Sequence, residues 1–514
     1  MEQIVTITLS IISLYLIYLG LQSMQKVKTL EDYFLHGGNL KFKSFIGTAV
    51  ASNLSLGNFI FIAAIWGYSF GLSGIFWMLV SVGAFIPLFK KYTPYFKKYI
   101  EDKSNAGSIH EYLAQSYSTS NKDNLSTKIR YIASISTIIC LLFALAIEIH
   151  LAGTFISALL GIDIKTTFII LTSLICFYTA TGGFKAVVAT DIIQALILFL
   201  SIGAILLVVS NVTLPSLNAS TVFDTSIIGI LKSPGLIYIA SFMLMNAAWF
   251  IVTMDTFQRN CATRSLKSTM NGMWWSIAII AIAIGLYTYI GMFVRLSIVP
   301  NFPAESLSNG ANPFSDFFLL RDIVAPTMFF SLISTKVIFS IIAIGFVMAG
   351  ISTADTFLLV SGHSFVTDLL VGVKKRANFS DLSESEKETF TNFGRAIIIF
   401  MTIAIIVVWV FLYSLGLFKD PLTLFYFAYS VQFSLLVPIM YSISSKEKNP
   451  KAAFNSILTG IITSLIYSVI TIVYMKSTSN NFLGISSGEL VALNPIFTML
   501  FSFFAFHLTP KYHQ

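Results

Sequence analysis

The stretch SFIGTAVASNLSLGNFIFIAAIWGYSFG, residues 44–71, is apolar over most of its length but polar near its middle. It is long enough to cross a bilayer, which takes about 20 apolar residues in a helix. Asn53, Ser55, Gly57 and Asn58 interrupt it at bilayer depth. One interpretation is an intact helix whose small residues pack closely against a neighbour. The other is an unwound helix whose carbonyl oxygens coordinate a cation, and four polar or glycine residues so close together favour it.

The composition around this stretch is that of a membrane protein. Of 514 residues, 56% are hydrophobic and 11% are charged, against about 25% charged in soluble proteins. This excludes a soluble enzyme, a disordered chain and a disulfide scaffold, and the apolar runs are too long for barrel strands. The sequence predicts an all-α polytopic membrane protein with about thirteen spans, at 2–21, 44–71, 73–92, 128–158, 164–181, 185–210, 237–256, 272–297, 336–370, 394–417, 421–444, 452–475 and 489–508.

The basic residues predict the topology. The net charge is +8, and 25 of the 32 Lys and Arg lie in the loops that face inside if the N-terminus is outside. Positive residues concentrate in cytoplasmic loops, so we expect an outside N-terminus and a cytoplasmic C-terminus. The charge is therefore an orientation signal, and no nucleic-acid partner is expected. The bias toward Lys, Ile and Phe suggests a bacterial inner (plasma) membrane.

Other polar groups at bilayer depth are candidates for function, because they are costly there unless they face a cavity or one another. Ser352 and Thr353 lie in the apolar segment 336–370, and their hydroxyls are hard ligands that suit Na⁺. Glu148, Asp191 and Asp255 are carboxylates within predicted spans. Glu148 is compatible with a proton site, a solute contact or one half of a buried pair.

Six strings stand out along the chain: TLEDYFLHGGNL (29–40), ASNLSLGNFI (51–60), SIHEYLAQSY (108–117), TGGFKAVVATDIIQ (181–194), QRNCATRSL (258–266) and AGISTADTFLL (349–359). In order and spacing they resemble motifs of the sodium/solute symporter family. The string at 181–194 is the most specific, because it resembles the family signature G-G-x-x-A-V-x-x-T-D-x-x-Q.

The resemblance implies a LeuT-type fold, in which two five-helix inverted repeats form a single transporter domain, 1–514. It would comprise an extra first helix and inside loop (1–43), the two repeats (44–210 and 237–444) and two extra helices (445–514). The resemblance also implies a sodium site. Its oxygens would come from the backbone of Ala51, Leu54 and Ala349 and from the hydroxyls of Ser352 and Thr353, with Asp191 on the sodium exit path.

The resemblance implies a solute pocket at the residues that interrupt the second span, and intramembrane carboxylates would adjoin it. The expected contacts are Asn53, Ser55, Asn58, Glu148 and Asp255. They match neither the sugar-transporting nor the proline-transporting branch, so both substrates are doubtful.

The expected function is Na⁺-coupled symport of a small polar organic solute, with Na⁺ as coupling ion and no other cofactor. The alternatives are a proton-coupled symporter on the same fold, or a membrane sensor or transceptor. An enzyme is not expected, since neither an HExxH nor a GxSxG motif is present. The sequence leaves the oligomeric state open.

Overall fold

The structure is a computed structural model that describes residues 1–102, 107–118, 124–211, 226–297, 332–374, 381–419, 421–445, 448–477 and 487–510. Regular structure within these ranges is helical. Its α-helices are α1 (Glu2–Met24), α2 (Leu30–Leu35), α3 (Phe42–Asn53), α4 (Ile62–Phe70), α5 (Leu72–Gly83), α6 (Phe85–Asp102), α7 (Ile109–Ser116), α8 (Asn124–Leu160), α9 (Ile164–Asn211), α10 (Ile227–Lys232), α11 (Leu236–Val252), α12 (Met254–Ala262), α13 (Leu266–Ser297), α14 (Leu332–Ser364), α15 (Glu384–Ser414), α16 (Pro421–Gln432), α17 (Leu436–Ser444), α18 (Pro450–Ser477) and α19 (Ser487–Leu508).

Ten helical segments in the described ranges are long and apolar enough to cross a membrane, or eleven if α11 and α12 form one bent span. Many expose large apolar side chains along one face. On α15 the exposed residues recur at helical spacing, as at Phe400, Ile403, Val407 and Phe411. A continuous apolar stripe suits contact with lipid. The exact number of crossings, thirteen by sequence, stays a prediction.

The long helix α9 covers two of the predicted spans and contains a break between them. Its apolar part, Ile164–Ser210, has 47 residues, about twice what one crossing needs. Gly183 lies at the break with φ 54° and ψ −146°. A Cβ atom there would lie 2.4 Å from the carbonyl oxygen of Tyr33, so both the backbone angle and the close packing require glycine.

Two further helices are interrupted. Helix α3 ends at Asn53, because Leu54 has a non-helical ψ of 55°, and one π-helical turn, Leu56–Phe61, leads into α4. Helices α11 and α12 meet at Thr253, where the axis bends by 43°. The interruption predicted from the polar residues of the second span is confirmed.

The central helix α14 packs against α8, α9 and α3, and most of its side chains are buried. The interrupted pair α3–α4 has a second neighbour, α13, on the side away from α14. Helix α13 packs unusually closely against α4. A Cβ atom on Gly67 would lie 1.7 Å from the carbonyl oxygen of Thr288, and one on Gly291 would lie 1.9 Å from that of Ala64. Small residues permit this close crossing, which places the interrupted helices between α14 and α13.

Candidate functional site

The open end of α3 faces α14. The carbonyl oxygens of the last turn of α3, including that of Ala51, have no donor within the helix because it stops at Asn53. On α14 the hydroxyl of Thr353 donates to the carbonyl oxygens of Ser52, at 3.3 Å, and of Ala349, at 3.2 Å. The structure therefore brings together the two segments in which the sequence predicted sodium ligands.

Asp191 joins three helices at one buried carboxylate. From α3 it accepts hydrogen bonds from Thr48 at 2.5 Å and from Ser52 at 3.4 Å. From α14 it accepts one from Ser352 at 2.6 Å. Because Ser352 donates its proton to Asp191, the lone pairs of its hydroxyl oxygen remain available to a cation.

A second carboxylate, Asp355, lies on α14 next to Asp191, and the sequence did not single it out as a site residue. One of its oxygens accepts from the hydroxyls of Tyr178, at 2.7 Å, and Thr190, at 3.4 Å, both on α9. Its Oδ1 atom is buried with no hydrogen-bond partner in the described ranges. The sequence feature that could have identified it is its position one helical turn after Ile351 and Ser352.

Arg259 on α12 connects the second interrupted helix to the first. Its Nη1 atom lies 2.8 Å from a carboxylate oxygen of Asp255, and its Nη2 atom donates to the hydroxyl of Ser52 at 2.6 Å. Asp255, an expected solute contact, is therefore half of a buried ion pair. The i,i+4 spacing of the pair was visible in the sequence, but its contact with α3 was not.

Glu148 on α8 is fully buried and faces the interruption. Both of its carboxylate oxygens lie 3.2 Å from the backbone nitrogen of Gly57, the second residue of the π-helical turn. Behind Gly57 lie Phe425 and Leu151. The Ser55 side chain is buried beside this contact, whereas the side chain of Asn58 lies outside the described part of the structure.

A cavity adjoins both interruptions. Asn53, the expected solute contact on α3, lines it together with Trp249 on α11 and Arg259 on α12. The remaining lining comes from α3, α5, α6, α11, α12, α13 and the π-helical turn, and most of it is apolar. The expected solute contacts are thus divided, since Asn53 lines this cavity and Glu148 contacts Gly57 from α8.

Helix α16 contributes two polar residues that the sequence did not single out. Gln432 donates from its side-chain nitrogen to the carbonyl oxygen of Val252 at the bend, at 2.7 Å. The buried hydroxyl of Tyr429 has no hydrogen-bond partner among the residues that the structure describes, and its ring packs edge-on against Trp249 at 4.4 Å between centroids. Neither residue belongs to a motif quoted above.

Two interrupted helices that meet on backbone oxygens, hydroxyls and buried carboxylates define a cation-coupled secondary transporter. Residues 33–460 match the family described as the sodium:solute symporter family, and the chain belongs to that family. It is a Na⁺-coupled symporter of a small organic solute.

Known relatives agree with this assignment. The sodium/myo-inositol cotransporter 2 of Mus musculus is 23% identical over 501 residues, covering 90% of this chain and 69% of the relative. The sodium/sialic acid symporter SiaT of Proteus mirabilis is 25% identical over 280 residues, covering 52% and 53%. A solved substrate-bound, outward-open Na⁺-coupled sialic acid symporter matches with a TM-score of 0.68 and 20% identity, covering 99% of both chains. That likeness confirms the LeuT-type fold.

Proposed function

We propose that Na⁺ binds between the open end of α3 and α14, and that this binding drives uptake of a small polar organic solute. The observation that carries the proposal is the contact of the Thr353 hydroxyl with the carbonyl oxygen of Ser52, 3.3 Å away. It places a hydroxyl beside carbonyl oxygens that have no helical donor. Hydroxyl and carbonyl oxygens are the hard ligands that Na⁺ prefers.

The proposed sodium ligands are the carbonyl oxygens of Ala51, Leu54 and Ala349 and the hydroxyl oxygens of Ser352 and Thr353. Asp191 holds the Ser352 hydroxyl at 2.6 Å. In this arrangement Asp191 orients a ligand and supplies negative charge next to the cation. It is also the first carboxylate that Na⁺ meets when it leaves.

In the proposed cycle, Na⁺ orders the junction of α3 and α14 and thereby completes the solute pocket. The two ligands bind cooperatively, and each raises the affinity of the other by the same factor. The proposed orientation has the N-terminus outside and the C-terminus in the cytoplasm of a bacterial cell. An inside-negative potential then favours Na⁺ entry by about 2.3 kcal/mol per charge per 100 mV.

The proposed solute contacts remain Asn53, Ser55, Asn58, Glu148 and Asp255. Support for Asn53 comes from its place in the cavity wall, and support for Glu148 from its contact with Gly57. Asp255 would act through its pair with Arg259.

The test is a thermal-shift screen of amino acids, sugars, organic acids and nucleobases with the full chain, with and without Na⁺, followed by uptake into proteoliposomes. We expect a solute whose stabilisation requires Na⁺ and whose uptake follows an imposed Na⁺ gradient. A bound solute that neither a Na⁺ nor a H⁺ gradient moves would overturn symport and favour a sensor.

The full burial of Glu148 favours one second candidate, a proton-coupled symporter with this carboxylate as the proton site. Uptake would then follow a pH gradient without Na⁺ and would be lost in Glu148→Gln. Uptake that requires Na⁺ and persists in Glu148→Gln would exclude it.

A further inference from the structure

A stripe of exposed apolar side chains runs along α13 and ends in tryptophan. Trp275, Ile282 and Tyr289 recur every seven residues, two helical turns apart, and they are 60%, 65% and 36% exposed. Such a stripe suits contact with lipid, and tryptophan favours the level of the lipid headgroups. Trp275 therefore marks a boundary between lipid and water at the start of this helix.

Basic side chains lie at this boundary. On α13, Lys267 precedes Trp274 by two helical turns and is exposed. On α6, the Nζ atom of Lys90 lies 5.2 Å from the centre of the Trp274 ring, and Phe89 packs edge-on against the same ring at 5.0 Å between centroids. Because these contacts hold α6 against α13, the exposed side chains of Lys90 and Lys91 lie beside the boundary.

The start of α3 and the link between α12 and α13 bring three more basic residues to this end of α13. A Cβ atom on Gly272 would lie 2.4 Å from the ring of Phe45, so the first turn of α3 packs closely against α13. The backbone nitrogen of Leu40 donates to the carbonyl oxygen of Ala262 at 2.8 Å, which places the residues before α3 beside those before α13. The basic residues on these two segments are Lys41, Lys43 and Arg264, and all three are exposed.

We name the six residues the basic surface: Lys41, Lys43, Lys90, Lys91, Arg264 and Lys267. No Asp or Glu occurs in residues 39–100 or 256–304. In the ranges that the structure describes, none of the six pairs with a carboxylate. The first acidic residue after them on α6 is Glu101, about 15 Å along the helix from Lys91. The basic surface therefore attracts anions.

We propose that the basic surface binds the headgroup of an anionic phospholipid. Its phosphate would lie between the lysines of α6 and α13, with Trp274 and Trp275 at the level of the glycerol and the acyl chains along the stripe through Ile282. The predicted topology puts the basic surface on the cytoplasmic side, whose leaflet carries anionic lipids.

The position of the basic surface favours a lipid over an acidic soluble protein. A soluble partner would satisfy the charges, but it would not use the apolar stripe that continues from Trp275 through Ile282. A phospholipid has both a charged end and an apolar end, in the order in which α13 presents their counterparts. Because the basic surface joins α3, α6 and α13, the bound lipid stabilises the packing of these three helices.

The experiment measures the melting temperature of the full chain in a neutral detergent during titration with dioleoyl phosphatidylglycerol, dioleoyl phosphatidylcholine, inorganic phosphate or poly-L-glutamate. We expect only phosphatidylglycerol to raise it, with an effect that weakens as salt screens the charges. An equal rise with phosphatidylcholine would overturn the role of headgroup charge. A rise with phosphate or polyglutamate that matches that of phosphatidylglycerol would overturn the lipid as the partner.

Charge-removing variants locate the headgroup. The triple variant Lys90→Gln, Lys91→Gln and Lys267→Gln keeps the side-chain length nearly constant. A lysine near an anionic lipid surface contributes about fivefold in affinity, so we expect the half-maximal concentration of phosphatidylglycerol to rise at least tenfold. The matched control removes the same charge from three exposed lysines outside the basic surface, as Lys128→Gln, Lys165→Gln and Lys451→Gln. Equal shifts in both triple variants, or none in the first, would overturn the site.

A second measurement locates the acyl chains without removing a charge. Bromine atoms on the acyl chains quench the fluorescence of nearby tryptophan. We expect brominated phosphatidylglycerol to quench the full chain more than brominated phosphatidylcholine does, and Trp275→Phe to reduce this excess. An excess that is unchanged in Trp275→Phe would contradict the placement of the chains along α13.

Discussion

Removal of one hydroxyl tests the sodium site most directly. In Thr353→Ala the oxygen that now contacts the carbonyl oxygens of Ser52, at 3.3 Å, and Ala349, at 3.2 Å, is lost. Because the side chain is fully buried, water does not readily replace it. One of the five proposed ligands of Na⁺ disappears, while the backbone ligands remain.

The size of the effect follows from the burial. Loss of one buried polar contact costs about 1–3 kcal/mol, and each 1.4 kcal/mol corresponds to a tenfold change in affinity. The Na⁺ concentration for half-maximal effect should therefore rise roughly 5- to 150-fold. Without Na⁺ the loss in stability should be smaller, about 0.5–1.5 kcal/mol, because only two long hydrogen bonds are removed.

The assay is Na⁺ titration of thermal stability and of solute uptake, with K⁺ holding the ionic strength constant. Thr353→Ser is the matched control, since it keeps the hydroxyl and loses only a methyl group. We expect its Na⁺ dependence to stay close to that of the unchanged protein. Equal shifts in the two variants, or no shift in either, would refute the assignment of this hydroxyl to the cation.

Three further changes test other contacts. Gly57→Ala should abolish uptake and lower the melting temperature, because the added Cβ would lie 2.3 Å from the ring of Phe425; wild-type uptake would contradict the geometry. Glu148→Gln keeps an acceptor for the Gly57 N–H but removes the charge, so we expect a folded protein whose stability falls by about 1 kcal/mol and whose uptake slows, measured by melting and radiolabel uptake. Burial opposes the charge of Asp32, but the hydrogen bond and charge of Lys185, 2.5 Å away, hold the pKa of Asp32 below its ordinary 3.8. Its stabilisation is present above that value and lost as the pH falls through the folded-state pKa, so Asp32→Asn should lower the melting temperature at pH 7, with a difference that closes in acid; a constant difference would argue against the ion pair.

The interruption of the second span could be predicted because its polar residues have few other solutions at bilayer depth. The break in α9 is likewise visible, since TGG separates two apolar runs at 181–183. The bend at Thr253 was not predicted within the span 237–256, and neither Gly nor Pro marks it. The carbonyl oxygen freed near it, that of Val252, is satisfied by Gln432, 180 residues away, and no local pattern encodes that partner.

The candidate site, like the fold, could be predicted from the sequence only in part. Ser352 and Thr353 could be proposed because adjacent hydroxyls in an apolar helix are uncommon and suit Na⁺. Arg259 could not be placed, because its contact with Ser52 joins residues 207 positions apart. The carboxylate of Asp355 was visible as an intramembrane charge, but its hydrogen-bond partner Tyr178 lies 177 positions away in the sequence. Residue chemistry thus predicted a sodium site, whereas the contacts that join α3 to α12 and α14 came only from the fold.

Those contacts meet at Ser52, and this has a consequence for coupling. Its carbonyl oxygen accepts from Thr353 beside the proposed cation, while its hydroxyl accepts from Arg259 on α12 at 2.6 Å and lies 2.9 Å from that of Thr356. Since both sets of contacts share one residue at the open end of α3, Na⁺ release cannot move that end without disturbing the contact with α12. The coupling is reciprocal. If bound Na⁺ stabilises the contact between Ser52 and α12 by some factor, loss of that contact lowers the affinity for Na⁺ by the same factor. If Na⁺ binds at the proposed site, Ser52 would transmit its presence to α12, the helix that borders the cavity, with no need for a longer relay.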